Sequence, residues 1–185
     1  MTIEIICTVL GLIQGVLAYL NKRSNWIVYA LQMLFLVIFS YVNHLWGDTA
    51  QNAIYLGICV YSFIVWGKED KYKEISTISR DGRVLSFLAI VILTGIVALI
   101  LRNTSDPLPF VDAFTTVTTF AALIMMTYHK IEAWVVWFVN DIAYVYEYYM
   151  LPNQAFYLLF LSVIWTGFAV FTFLNWRKLY KMQKI

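Results

Sequence analysis

Twelve of the thirteen Lys and Arg residues fall in four short stretches separated by long apolar runs. The stretches are Lys22-Arg23; Lys68, Lys71, Lys73, Arg80 and Arg83; Lys130; and Arg177, Lys178, Lys181 and Lys184. Only Arg102 lies elsewhere. Basic residues flanking membrane spans collect on the cytoplasmic side. Two spans between successive stretches and one before the first keep all twelve there, so the chain needs an odd number of crossings. A span needs about 20 apolar residues, and seven runs qualify: 3–20, 26–44, 49–67, 84–102, 110–128, 133–150 and 154–176. The expected fold is an all-α integral membrane protein with seven transmembrane helices, its N-terminus outside and its C-terminus in the cytoplasm.

Composition agrees. The chain is 62% hydrophobic and 13% charged, where soluble domains are about half apolar and a quarter charged. Residues 3–20 have no basic stretch before them and no small-residue cleavage motif after them, so they read as a true first span rather than a signal peptide. Cys7 and Cys59 lie inside apolar runs; they read as small core residues, with neither metal-ligand spacing nor a disulfide framework. The basic C-terminal tail reads as a topology and lipid-headgroup feature, not a nucleic-acid site.

An internal repeat is visible at an offset of 108 residues. Lys22, Trp26 and Gln32 correspond to Lys130, Trp134 and Asn140, and Glu4 and Thr8 to Asp112 and Thr116. Gln51-Asn52-Ala53-Ile54-Tyr55-Leu56 resembles Asn153-Gln154-Ala155-Phe156-Tyr157-Leu158 at an offset of 102. Spans one to three then match spans five to seven, and the fourth is a linker that keeps both copies in the same orientation. This parallel 3+1+3 pseudo-repeat divides the chain into residues 1–67, a loop and linker helix over 68–105, and residues 106–185. Repeats of this kind are a transporter device, with the substrate held near midplane where the repeats meet.

Candidate site residues follow from helical periodicity. In span six, Trp134, Trp137, Asp141, Tyr144 and Tyr148 share an arc of about 80°, bordered by Asn140 and Glu147. Val135, Phe138, Val139, Ile142 and Tyr149 occupy the opposite face, suited to lipid or neighbouring helices. In span three, Gln51, Tyr55, Cys59, Ser62 and Trp66 share an arc, with Asn52 beside it; in span two, Tyr29 and Gln32 recur at helical spacing. Ionisable residues at membrane depth face a bundle interior or a wet cavity. An aromatic face with Asp141 suits a flat, cationic ring. Gln32 and Asn140 read equally as ligand contacts or as interhelical hydrogen bonds. Gln51, Asn52, Asn153 and Gln154 read as helix starts or gate residues near the outer surface. Trp46, Trp66 and Trp176 read as interfacial belt residues, and Trp134, near the cytoplasmic end, as belt or ligand contact. His44 and His129 stand at opposite span ends, which argues against a metal site. No phosphate-binding loop or nucleophile elbow occurs, so no catalytic residue and no cofactor is expected.

Several segments resemble the PnuC-type transporters of bacterial vitamin and nucleoside uptake. They are Pro109–Met125, Glu132–Asp141, Leu151–Phe160 and Asn175–Lys178, with a looser match over Asn25–Trp66. The resemblance implies a fold related to the SWEET sugar transporters, a homotrimer, and a place in the bacterial inner membrane. It implies passive, alternating-access movement of an unphosphorylated vitamin or nucleoside that a cytoplasmic kinase then traps. Nicotinamide riboside is the family's main substrate; relatives carry deoxyribonucleosides, thiamine or riboflavin. Trp134, Trp137 and Asn140 match the family's substrate motif and would contact ring and sugar. Family members tend to have Gly and Asn where this chain has Ala30 and Gln32, and Pro and Gly in the region of Val60–Phe63. Proton coupling through Asp141 and Glu147 is the alternative mechanism.

Overall fold

The computed structural model describes residues 2–42, 46–67, 74–104, 106–150 and 156–184. These form seven helices and no strand: α1 (Thr2–Tyr19), α2 (Asn25–Val42), α3 (Trp46–Val65), α4 (Arg80–Leu101), α5 (Pro109–Thr127), α6 (Glu132–Met150) and α7 (Phe156–Met182). Each matches one expected span. α4 starts four residues early because Ser79 caps it, its hydroxyl accepting from the Gly82 amide. α7 runs through Met182, so Arg177, Lys178 and Lys181 extend a helix rather than forming a loose tail. Among the described residues, α4, α5 and Leu159–Met182 are long and apolar enough to cross a membrane on composition alone.

The helices form two compact units, Met1–Glu74 and Ile75–Ile185. In the first, α2 packs against both α1 and α3; in the second, α4, α5, α6 and α7 pack in sequence order. The tryptophans at the helix ends are what lock each unit. Trp26 meets Trp66 edge-to-face at 5.5 Å, and Trp134 meets Trp176 edge-to-face at 5.4 Å. Trp66 and Trp176 are 2% and 0% exposed. They are therefore core residues, correcting the belt assignment. A ring at a span end can cover a neighbouring helix as readily as it can face headgroups, and hydropathy does not separate the two. The side chain of Trp46, His44, and the Asn153–Ala155 segment lie outside the described residues.

α1 and α2 meet through the same kind of turn as α5 and α6. α1 ends with Asn21 in the left-handed region (φ 52°), the Asn21 amide donating to the Ala18 carbonyl and the Lys22 amide to Leu17. α5 ends with His129 at φ 51°, its amide donating to Met126 and the Lys130 amide to Met125. Both are Schellman caps, built on residues that tolerate this conformation without glycine.

In the second unit the His129 turn holds a strap. The Ser76 amide donates to the His129 carbonyl, and the Ile131 amide to the Ser76 carbonyl. Lys130 Nζ donates to Ser76 Oγ at 2.9 Å. Both Glu132 carboxylate oxygens accept from the Ile78 amide at 3.1 Å, and Arg83 Nε lies 3.1 Å from Glu132 Oε1. Ile75 is buried beneath this segment. His129 is buried and stacked on Trp176, and burial pushes its imidazole down to about 4, so it is neutral near pH 7.

Candidate functional site

The polar residues of α6 do not share one environment. Val135, Val139, Ile142 and Tyr149 are exposed, as the apolar face requires. Trp134 is buried against Trp176, and so belongs to the packing of the unit rather than to a membrane belt. Trp137 is half-buried. Asn140 is 0% exposed and Asp141 7%. One and two turns further, the half-buried rings of Tyr144 and Tyr148 stack 5.6 Å apart with a 10° tilt. Glu147 is half-buried, its Oε2 3.3 Å from Thr115 Oγ1, which also lies 3.0 Å from the Asp112 carbonyl.

What holds this face is α5. Its Thr-Thr-Val-Thr-Thr run places Thr115, Thr118 and Thr119 at i, i+3 and i+4, hence on one side of the helix. All three are buried. Thr118 Oγ1 lies 2.7 Å from Asn140 Oδ1, and Asn140 Nδ2 donates to Thr119 Oγ1 at 3.3 Å. Asp112, one turn before Thr115, accepts from Thr116 Oγ1 at 3.4 Å. Hydroxyls are well suited here, since they bond a backbone carbonyl one turn back while meeting a neighbouring helix. The periodicity of the threonines was the available signal for this contribution, which the reading of the sequence missed.

In the first unit the candidates are likewise engaged. Gln32 Nε2 donates to the Cys7 carbonyl of α1 at 3.0 Å. Gln51 Nε2 donates to the Tyr55 hydroxyl at 3.3 Å, and Tyr55 is buried. Tyr29 is half-buried and stacks on Trp26 at 6.4 Å; Asn52 is half-buried. Among the described residues no cluster of His, Cys, Asp or Glu could hold a metal ion.

Apolar helices of membrane length, lipid-ready faces, and an interior seam of hydroxyls, amides, carboxylates and stacked tyrosines define a multi-pass membrane carrier for a polar solute. The model of the nicotinamide mononucleotide transporter family matches residues 1–178, and the chain belongs to that family. It is thus a membrane transporter and not an enzyme. The fold is similar to the crystal structure of the vitamin B3 transporter PnuC, with a TM-score of 0.78 and 22% sequence identity over 96% of this chain and 81% of that one. Comparison with curated proteins gives no match.

Proposed function

We propose that the protein carries nicotinamide riboside across the membrane by facilitated diffusion with alternating access. The observation that carries this reading is the α6 seam. It offers Asp141 and Glu147, a stacked tyrosine pair and Trp137, and the sequence has no Lys or Arg between Arg102 and Lys130 or between Lys130 and Arg177. A flat cationic pyridinium ring finds aromatic faces and a carboxylate there. A phosphate would find carboxylates and no cation, so the riboside is favoured over the mononucleotide. Trp137, Asp141, Tyr144 and Tyr148 are the ligand contacts of the second unit, and Tyr29 and Asn52 are the half-buried candidates of the first. Deoxyribonucleosides, thiamine and riboflavin are the competing substrates.

The parallel 3+1+3 repeat is part of the same proposal, and three features support it. The Schellman turns stand at equivalent positions, 108 residues apart. A buried tryptophan pair closes each unit. An amide on the middle helix of each three-helix repeat bonds the helix before it, Gln32 of α2 to α1 and Asn140 of α6 to α5. The twelve cytoplasmic basic residues with an outside N-terminus, the homotrimer and trapping by a cytoplasmic kinase complete the reading, the last two on family resemblance.

The test is binding and flux on purified protein. Nicotinamide riboside should quench tryptophan fluorescence and enter liposomes containing this protein alone, while the mononucleotide does neither. Absence of both signals with the riboside, together with a response to another vitamin, would reassign the substrate. A second reading, proton coupling, has one observation behind it: two acidic residues of α6 lie on its polar side, Asp141 buried and Glu147 half-buried within 3.3 Å of Thr115 Oγ1. Liposome uptake indifferent to an imposed pH gradient disposes of that reading.

A further inference from the structure

The linker helix α4 is tied down towards both ends and stands off in between. Thr94 and Ala98, in its C-terminal half, are its buried residues, and α5 is the helix it packs against. At the N-terminal end the strap fixes it to the α5–α6 turn through Ser76, Ile78 and Arg83. From Arg80 to Leu93 no residue of α4 is buried. A groove of about 580 Å³ lies between α4 and α5 along this stretch. Ser86, Ala89, Ile90, Leu93 and Val97 recur at helical spacing and so form the face of α4 that lines it. Ala121, at a half-buried position of α5, faces it from the other side. Small residues on facing membrane helices ordinarily let the two close up; here Ser86, Ala89 and Ala121 border a gap.

Length and charge identify what fits. From Ser86 to Val97 the groove runs about 16 Å at the helical rise. One leaflet of a bilayer contributes about 15 Å of hydrocarbon, half of the apolar core, and α4 is long and apolar enough to cross that core. The groove is therefore about as long as one leaflet is deep. Its walls are apolar, but Lys130 lines it at the strap end, beside Ile78 and Tyr128. An ammonium has three protons to donate, and among the described residues that of Lys130 is bonded to the neutral Ser76 hydroxyl. The Glu132 carboxylate is engaged by the Ile78 amide and Arg83. A cation at the mouth of an apolar slot suits an amphiphile with an anionic head and a hydrocarbon tail. The apolar flank of a second copy would leave the ammonium without a counter-charge. We propose that the α4–α5 groove binds one acyl chain of an anionic phospholipid from the leaflet bordering the strap, with the lipid phosphate on Lys130. The chain fills the space that α4 and α5 leave between them, and the site is independent of the substrate wall on α6.

The experiment places the whole protein in phosphatidylcholine liposomes with a trace of phosphatidylglycerol that carries a photoactivatable diazirine in its acyl chain. Crosslinked residues are located by peptide mass spectrometry. Label should concentrate on Ala89, Leu93 and Ala121 over Leu88 and Leu99, which are exposed on the opposite face of α4. Unlabelled phosphatidylglycerol should displace it about fivefold better than phosphatidylcholine, the scale of one lysine at a membrane surface. Lys130→Gln, which keeps a donor for Ser76, should erase that preference without removing the label. Ala89→Phe, a change at an exposed position, fills the groove and should abolish saturable labelling. Label spread evenly around α4, or unchanged in Ala89→Phe, would mean boundary lipid only and overturn the proposal. Equal displacement by the two lipids, or a preference that survives Lys130→Gln, would overturn it as well. An unlabelled groove does the same, and a disulfide between copies in Ala89→Cys would then identify a second copy as its occupant.

Discussion

Trp134 and Trp137 sit one helical turn apart on α6 and should respond to truncation in opposite ways. Trp134 is 8% exposed and packs edge-to-face on Trp176, so Trp134→Ala removes a core ring. Substitutions of that kind cost about 3–5 kcal/mol, of which the aromatic pairing contributes about 0.5–1.5. At about 2–4 °C per kcal/mol for a chain of this size, the melting temperature should fall by roughly 6–20 °C. Trp137 is half-buried, and its removal forfeits about half the burial of a large side chain, roughly 1–2 kcal/mol. Trp137→Ala should therefore stay within about 2–8 °C of the unaltered protein but lose riboside binding. The assay is a melting curve in detergent by intrinsic fluorescence or size-exclusion loss, with binding measured on the material that survives at low temperature. A cycle pairing Trp134→Phe with Trp176→Phe should show coupling of about 0.5–1.5 kcal/mol. A Trp134→Ala protein that melts within 2 °C of the original and cannot bind riboside would refute the packing argument and make Trp134 a ligand contact.

Three further outcomes follow from residues outside the α6 seam. The neutral form of His129 is favoured by burial, with its imidazole near 4 against 6.5 when unfolded. The unfolded chain therefore takes up a proton that the folded one refuses, and stability should fall as pH drops from 6.5 towards 4, by about 3 kcal/mol in all; His129→Phe should flatten that slope in melting curves taken across the range. Glu132→Gln weakens the contacts to the Ile78 amide and to the largely exposed Arg83, so global stability should change by about 1 kcal/mol or less after solvent screening, while amide exchange at Ile78 and Ile131 rises several-fold; protected amides there would refute the strap. A Cβ on Gly67 would collide with the Arg23 guanidinium, which lies over the Phe63 ring at 3.7 Å and donates to the Phe63 carbonyl. Gly67→Ala should cost about 1–2 kcal/mol, and less again in an Arg23→Ala background where nothing remains to displace.

Hydropathy and charge were enough to find all seven helices, because the bilayer imposes one length on every span and the Lys/Arg clusters mark the turns between them. The ends were less legible where a local cap decided them, as Ser79 does for α4. Long-range partners were not legible at all. Nothing in Glu74–Ser79 announces that Ser76 will pair with the His129 turn, since the match is between backbone groups 53 to 55 residues apart. The same blindness applies to buried amides. Gln32 and Asn140 stood out as polar residues in apolar spans, but whether each meets a ligand or a neighbour depends on the facing helix, and α1 and α5 supply the partners.

Helices α3 and α7 show why a sequence match is weaker than a packing match. Aligning Gln51–Leu56 with Asn153–Leu158 at an offset of 102 pairs Cys59 with Leu161, Ser62 with Ile164 and Trp66 with Phe168. None of those three α7 positions is buried, although Cys59, Ser62 and Trp66 all are. An offset of 110 pairs them with Ala169, Thr172 and Trp176, all buried, and Ser62 and Thr172 both bond the carbonyl four residues back. The two alignments differ by eight residues, a rotation of about 80° at 100° per residue. That is enough to carry the packed face of α3 onto the flank of α7. If α1–α3 and α5–α7 are copies, their equivalence is set by which side chains the neighbouring helix must cover. Candidate residues on α7 that would mirror Tyr55 and Asn52 are then Trp165 and Ser162, not Tyr157 and Gln154.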